Sequence, residues 1–144
     1  MATSVFVYGT LRPEQPNFMR YLSHEGAKLV QSDVYTWPEF VLASINDFFP
    51  AMVQPDEKNK EYVTAVVGDV FQVDSPTLRA LDKLEGVPFH YQRQHITLAN
   101  GMNVQAYIIN PTRVPKDAPV IRHGDWVRYI SEVRPHRGYA GVNR

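Results

Sequence analysis

The chain has 144 residues, 44% of them hydrophobic and 21% charged, and its fifteen basic and fifteen acidic side chains cancel to a formal net charge of zero. A neutral chain without a Lys/Arg cluster has no electrostatic reason to bind nucleic acid or an anionic membrane. The absence of cysteine excludes disulfides, thiolate metal sites and cysteine nucleophiles. No signal-peptide pattern or bilayer-length apolar run is present, so we expect one soluble, cytoplasmic domain over residues 1–144.

The first predicted element is a β-strand over residues 4–8, whose valine and aromatic side chains suit a half-buried sheet. Gly9 breaks the run, and Thr10 and Leu11 lead to Arg12-Pro13, where helix is disfavoured before the proline. A strand that ends in this way presents consecutive backbone N–H groups, which can hold a carboxylate, a phosphate or an oxyanion. An ordinary turn after the strand is the simpler interpretation of these residues alone.

Strand patterns dominate the elements that follow. After a short helix opened by Pro16 and closed by Gly26, strands are predicted over residues 27–37, 40–45, 62–73, 89–98 and 102–110, and the apolar run 49–53 follows a turn at Asn46-Asp47. Gly68 interrupts one of these strands and predicts a bulge or a close backbone approach. Asn100-Gly101 separates the last two and favours a type I′ hairpin turn. The class is therefore α+β, with a strongly curved or closed sheet.

One longer helix is predicted over residues 76–85. Ser75 is a suitable N-cap, Pro76 fits the first turn, and Gly86 is placed for the C-terminal stop. An apolar stripe on this helix is formed by Leu78, Leu81 and Leu84. Asp82 falls on the polar side and is predicted to face solvent.

Glu85 does not fit this pattern, because it projects into the apolar stripe at about 20° from Leu78. Acidic side chains are rarely buried without a partner. Desolvation and the negative end of the helix dipole should both raise the pKa of Glu85. A carboxylate with a pKa close to neutrality is a useful general base. The alternative is a structural salt bridge at the helix end, for example with Arg93, and the spacing favours neither reading.

The histidines do not form a metal-binding pattern. None of the five makes an i, i+4 pair, and two on one predicted strand would face opposite sides; they are His24, His90, His95, His123 and His136. We therefore expect no metal site. The chain also lacks a Gly-x-Ser-x-Gly elbow, a P-loop and a dinucleotide fingerprint.

Several short motifs occur together in an order that is specific in combination. They are Val5-Phe6-Val7-Tyr8-Gly9-Thr10-Leu11, Gln15-Pro16-Asn17, Phe49-Pro50-Ala51-Met52-Val53, Leu81-Asp82-x-x-Glu85-Gly86-x-Pro88 and Tyr91-x-Arg93. Together they resemble the γ-glutamylcyclotransferase-like (AIG2-like) family, and its γ-glutamylamine cyclotransferase branch most closely. The resemblance implies a small mixed β-barrel flanked by short helices. One departure is Pro13-Glu14, where relatives commonly carry a basic residue and glycine.

The resemblance also implies a reaction, in which the α-amine of a γ-glutamyl group attacks its own γ-carbonyl. The products are 5-oxoproline and a free amine, and no metal or cofactor is required. Glu85 corresponds to the family's catalytic glutamate, and Tyr8, Gly9, Thr10 and Leu11 correspond to its anion-binding loop. Arg12, next to this loop, is predicted to contact the glutamyl α-carboxylate, and Tyr91 and Arg93 are weaker candidates for the same cavity. Tyr8 is expected to wall the pocket, and its hydroxyl could donate to the substrate.

The leaving amine is predicted from the run Gln15-Pro16-Asn17, which resembles the γ-glutamylamine branch. This neutral run offers no fixed cation for a second carboxylate on the leaving group, and Arg12 is the only basic side chain nearby in sequence. We therefore expect γ-glutamyl-ε-lysine or a γ-glutamyl alkylamine to react faster than γ-glutamyl-alanine or glutathione. Two alternatives remain open: a non-catalytic module that binds small carboxylates, and a cyclotransferase acting on γ-glutamyl dipeptides or a γ-glutamylated carrier. We expect a small-molecule γ-glutamyl substrate, no nucleic-acid or membrane partner, and a monomer or weak dimer.

Overall fold

Seven strands form two sheets in the computed structural model, which describes residues 2–142 and side chains as far as Arg134. The strands are β1 (Thr3–Val7), β2 (Ala27–Tyr35), β3 (Val41–Ile45), β4 (Phe49–Val53), β5 (Val67–Val73), β6 (Tyr91–Thr97) and β7 (Asn103–Ile109). The helices are α1 (Phe18–Tyr21), α2 (Ser75–Glu85) and α3 (Trp126–Val142), with 3₁₀ turns at Lys60–Tyr62 and Pro111–Arg113. No described helix is long and apolar enough to cross a membrane.

The larger sheet has the order β2-β5-β1-β7-β6, and β3 and β4 form a separate hairpin. β1 is the central strand, antiparallel to β5 and parallel to β7. Its alternate side chains enter two clusters, with Phe6 on one face and Val5 and Val7 on the other. Trp126 of α3 joins the first cluster and Leu81 of α2 the second, so the two helices cover opposite faces.

The predicted α+β class is confirmed, but closure of the sheet into a barrel is not shown. The two edge strands, β2 and β6, are joined beyond their ends by one isolated bridge between Thr36 and Leu98. Beside it, the Ala99 N–H donates to the Tyr35 carbonyl at 3.0 Å. The described strands therefore form a curved sheet whose edges touch at a single point.

The β6–β7 hairpin is confirmed, whereas the predicted type I′ turn is wrong. A type I′ turn needs positive φ at both central residues. Here Gly101 has φ 91°, and Asn100 is not among the residues with positive φ. The Gly101 N–H donates to the Leu98 carbonyl at 2.9 Å, which leaves Ala99, Asn100 and Gly101 in a three-residue loop. The additional residue allows an ordinary turn followed by a left-handed glycine.

Two further predictions hold and two shift along the chain. A Cβ on Gly68 would lie 2.3 Å from the Val7 carbonyl oxygen, which confirms the close backbone approach. α2 ends at Gly86, where φ is 66°, but its N-cap is Asp74 and not Ser75; the Asp74 side chain accepts from the Thr77 N–H at 2.9 Å. The strand predicted over residues 62–73 starts only at Val67, because the preceding segment makes a 3₁₀ turn and a single bridge from Thr64 to Phe40.

Candidate active site

A cavity of about 540 Å³ opens around the loop that follows β1. Its lining comes from this loop, the β3–β4 hairpin, the C-terminal end of α2 and the segment that runs from β7 into the turn Pro111–Arg113. This volume is in the range of small-molecule sites in proteins. Among the predicted site residues, the cavity brings together Tyr8, Gly9, Thr10, Leu11, Glu85 and Tyr91.

Glu85 is the acidic group of this cavity. It lies in the last turn of α2, where its side chain is half-buried, and it accepts no hydrogen bond or ion pair from a described residue. Burial raises its pKa from 4.5 to about 7. A carboxyl group with this pKa is partly ionised at neutral pH and can both accept and return a proton.

Arg93 does not pair with Glu85, so the structural salt bridge considered above is absent. The Arg93 Nε instead donates to the Asp82 carboxylate at 2.9 Å, and the Tyr107 hydroxyl donates to the same carboxylate at 2.7 Å. Asp82 is therefore half-buried, and its predicted exposure to solvent is wrong. Arg93 on β6 and Tyr107 on β7 thus both contact Asp82 of α2. Tyr107 lines the cavity, whereas Arg93 does not.

The Tyr8 hydroxyl is occupied by the protein itself. It donates to the Tyr107 carbonyl at 2.7 Å and accepts from the Met52 N–H at 3.2 Å. Burial and the Glu85 carboxylate both raise the pKa of Tyr8, which keeps the hydroxyl protonated. Tyr8 thus walls the cavity as expected, but its hydroxyl ties β1 to β4 and β7 and is not free for a substrate. Tyr91 is similar, because its hydroxyl donates to the Pro50 carbonyl at 3.0 Å.

The loop Gly9–Leu11 carries backbone N–H groups that donate to no acceptor among the described residues. Two backbone hydrogen bonds from the residues that follow it hold the loop in place. The Gly9 carbonyl accepts from the Arg12 N–H at 3.0 Å, and the Thr10 carbonyl accepts from the Asn17 N–H at 2.9 Å. Gly9 also packs closely on Pro50, since a Cβ at Gly9 would lie 2.4 Å from the Pro50 Cγ. Unpaired N–H groups in a fixed turn form an anion-binding concavity.

Arg12 is buried and lies outside the cavity lining, contrary to its predicted contact with a substrate carboxylate. Its guanidinium pairs with Asp69 and Asp33 at 2.9 Å each and with Asp125 at 3.4 Å. These three acids come from β5, β2 and the segment before α3, which are distant in sequence. Arg12 therefore anchors the end of the Gly9–Leu11 loop to the sheet.

The cavity residues that were not foreseen from the sequence include Arg113 and His90. Arg113 ends the turn that follows β7, and His90 directly precedes β6. The signal that could have drawn attention to Arg113 is its place just beyond the predicted strand 102–110, since loops after strands often carry functional groups. Within the part of the chain that the structure describes, no three His, Asp or Glu side chains are grouped to hold a metal ion.

The sequence model of the family described as "Gamma-glutamyl cyclotransferase, AIG2-like" matches residues 5–128. The chain belongs to this family, which confirms the resemblance drawn from the motifs.

Individual relatives agree with this assignment. A Vibrio cholerae serotype O1 protein, provisionally named a γ-glutamylcyclotransferase, is 33% identical over 126 residues, which cover 88% of this chain and 96% of that protein. γ-Glutamylaminecyclotransferase A of Danio rerio is 27% identical over 123 residues, covering 81% and 74% of the two chains. The crystal structure of an AIG2-like protein from Mus musculus is similar with a TM-score of 0.64 at 26% identity, covering 86% and 87%.

Proposed function

We propose that this chain is a γ-glutamylamine cyclotransferase, which converts a γ-glutamyl amine into 5-oxoproline and a free amine. The observation that carries the proposal is the unpartnered Glu85 carboxylate, whose pKa of about 7 is raised by burial, in one cavity with the free N–H groups of Gly9–Leu11. One group can move a proton, and the other can hold an anion. These are the functions that an intramolecular cyclisation needs from a protein.

In the proposed mechanism, ionised Glu85 removes a proton from the substrate α-ammonium, and the resulting amine attacks the γ-carbonyl carbon. A C–N bond forms, and the carbonyl oxygen becomes an oxyanion. Collapse of this intermediate breaks the original amide C–N bond, and protonated Glu85 returns its proton to the departing amine. The Gly9–Leu11 N–H groups stabilise either the α-carboxylate or the oxyanion. The attacking nitrogen still carries one extra proton after this transfer. The regenerated Glu85 carboxylate takes this proton and passes it to the released amine, which leaves as an ammonium ion, so Glu85 ends ionised as it began.

The choice of an amine leaving group is supported by similarity to the Danio rerio γ-glutamylaminecyclotransferase A and by the run Gln15-Pro16-Asn17. Asn17, the last residue of this run, lines the cavity, and its side chain donates to the Thr10 hydroxyl at 2.9 Å. Neither Gln15 nor Pro16 carries a charge. We therefore expect γ-glutamyl-ε-lysine to react faster than γ-glutamyl-alanine or glutathione.

The test is to incubate the protein with γ-glutamyl-ε-lysine, γ-glutamyl-butylamine, γ-glutamyl-alanine and glutathione, and to follow 5-oxoproline and the released amine by mass spectrometry. Equal amounts of the two products are expected, with the highest kcat/KM for an amine substrate. A clear preference for glutathione would contradict the amine assignment while leaving the cyclisation intact. Binding without any product would instead support a non-catalytic carboxylate-binding module, and turnover of a γ-glutamylated protein alone would support a carrier substrate.

A further inference from the structure

Arg113 has a position that the mechanism above does not use. It ends the turn Pro111–Arg113, in which the Arg113 N–H donates to the Asn110 carbonyl at 2.8 Å. Asn110 in turn donates from its backbone N–H to the His90 carbonyl at 2.9 Å and from its side chain to the Pro88 carbonyl at 3.1 Å. These bonds attach the turn to the segment that directly follows Glu85. Arg113 therefore belongs to the cavity wall beyond the end of α2.

The Arg113 guanidinium has no hydrogen bond, ion pair or aromatic contact with another described residue. Most other arginines that the structure describes are engaged, by carboxylates, a carbonyl or tyrosine rings; they are Arg12, Arg20, Arg93, Arg122, Arg128 and Arg134. Arg79 also lacks a partner, but it is exposed on α2 and does not line the cavity. Arg113 is also exposed, but it lines the cavity, so its guanidinium is a free cation at the rim of the candidate site.

The charges of the cavity exceed those that a γ-glutamyl group can satisfy. In the described lining, the charged side chains are Glu85 and Arg113. A γ-glutamyl group carries one ammonium, which faces Glu85 in the proposed mechanism, and one carboxylate, for which the Gly9–Leu11 N–H groups are available. With the α-carboxylate on these N–H groups, no anion of the glutamyl part is left for the guanidinium; with the oxyanion there, Arg113 would bind the α-carboxylate, and the comparison of acids with amides below separates the two arrangements. A guanidinium is well suited to bind a carboxylate through paired hydrogen bonds.

The rest of the lining offers apolar surface for the leaving group. Ile45, Phe48 and Phe49 of the β3–β4 hairpin contribute to it, and Phe48 remains 70% exposed at the opening. An aliphatic stem can pack on such side chains without leaving a polar group unpaired. A departing amine with a carbon stem and a carboxylate satisfies both the apolar wall and Arg113.

We propose that Arg113 determines leaving-group specificity by binding a carboxylate carried by the departing amine, so that carboxylated amines such as the lysine side chain are preferred over simple alkylamines. The proposal rests on the proposed cyclotransferase function and narrows its substrate class. It also replaces the expectation that no cation is available near the leaving group.

The experiment compares substrates that differ only in this carboxylate. γ-Glutamyl-ε-lysine is compared with γ-glutamyl-ε-lysinamide, and γ-glutamyl-alanine with γ-glutamyl-alaninamide. We expect the acid to exceed its amide in kcat/KM by about tenfold in at least one pair, the lower end for a hydrogen bond to a charged group. Arg113→Gln should abolish the difference by lowering only the acid, and Arg113→Lys should restore part of it. Arg79→Gln is the matched control and should change neither value.

The results distinguish failure of the Arg113 specificity role from failure of the proposed cyclotransferase function. If 5-oxoproline forms but acid and amide react equally, or if Arg113→Gln lowers both members of a pair by the same factor, the specificity role is overturned while cyclotransfer stands. A uniform loss would place Arg113 on the glutamyl carboxylate. If no substrate gives 5-oxoproline, the proposed function fails. In that case calorimetric binding of the acids and amides to the Glu85→Gln variant still tests Arg113, and equal affinities would overturn its role.

Discussion

Arg93 is paired with Asp82, three residues before Glu85, with 2.9 Å between its Nε and the carboxylate. The arginine of the Tyr91-x-Arg93 motif is therefore already paired. The Glu85 carboxylate has no charged partner among the described residues. This explains why burial is the cause that raises the pKa of Glu85 to about 7. A carboxylate paired with arginine would have shifted in the opposite direction.

The first prediction concerns the role of Glu85 in turnover. Glu85→Gln keeps the shape of the side chain but cannot accept a proton, so we expect 5-oxoproline formation to fall at least ~100-fold, the lower end for loss of general-base catalysis. Glu25→Gln, at an exposed position outside the cavity, is the matched control and should retain full activity. Turnover of Glu85→Gln within a few-fold of the parent would remove Glu85 from the mechanism.

The second prediction concerns the pH dependence of the rate. Because Glu85 must be ionised to accept a proton, kcat/KM should rise with pH through about 7, the pKa of this carboxyl. The measurement is a pH–rate profile on γ-glutamyl-ε-lysine, repeated for the active Arg79→Gln variant. A profile that is flat on the acidic side in both proteins would argue against Glu85 as the base.

The third prediction links the same group to stability. The unfolded carboxyl ionises near 4.5 and the folded one near 7, so the free energy of unfolding should fall as pH rises between these values and level off above them. Glu85→Gln removes this loss of stability, because glutamine does not ionise. We expect the variant to match the parent below pH 4.5 and to exceed it by about 3 kcal/mol above pH 7. Urea unfolding across this range provides the check, and a pH-independent difference would refute it.

The fourth prediction concerns the buried pair of Arg12 and Asp69. Their side chains are only 9% and 4% exposed, so Arg12→Gln leaves the Asp69 carboxylate buried without its cation. We expect a loss of about 3 kcal/mol in the free energy of unfolding. Arg128→Gln, which breaks the exposed pair with Glu132, should cost less than ~1 kcal/mol. Similar losses for the two variants would show that Arg12 is not the anchor described here.

The fifth prediction concerns Glu14, where φ is 70°. A side chain in this left-handed conformation costs about 1 kcal/mol relative to glycine, and the family resemblance had placed a glycine at this position. Glu14→Gly should therefore be more stable than Glu14→Ala by about 1 kcal/mol, as measured by urea unfolding. The alanine variant controls for loss of the charge, and equal stabilities would mean that the backbone relaxes.

Local patterns were sufficient to predict β1, the end of α2 at Gly86 and the entry of Glu85 into an apolar surface. Each depends on residues within one helical turn or one strand. The roles of Asp82 and Arg12 could not be obtained in this way, because their partners come from elsewhere in the chain. Arg12, for example, meets Asp69 at a separation of 57 residues. A sequence pattern shows that an arginine is present but not which carboxylates the fold brings to it.

Arg113 illustrates the same limit within the site. Its position in the sequence has no periodic pattern, and only the hydrogen bonds of Asn110 bring its turn beside the segment after Glu85. The anion-binding loop is the opposite case. Gly9 can be recognised in the sequence as a glycine that directly follows a strand. The structure gives the reason for this residue, because a side chain there would collide with Pro50.

The parallel pairing of β1 with β7 has a consequence for the order in which the protein folds. The Tyr8 hydroxyl and the Tyr107 carbonyl that it contacts are 99 residues apart in sequence. Contacts across such a span form late, because a long loop must close before they gain any stability. During synthesis, β1 therefore remains without its parallel partner until β7, the last of the described strands, has been made. The contact that fixes Tyr8 beside the Gly9–Leu11 loop can therefore form only after β7 has been translated.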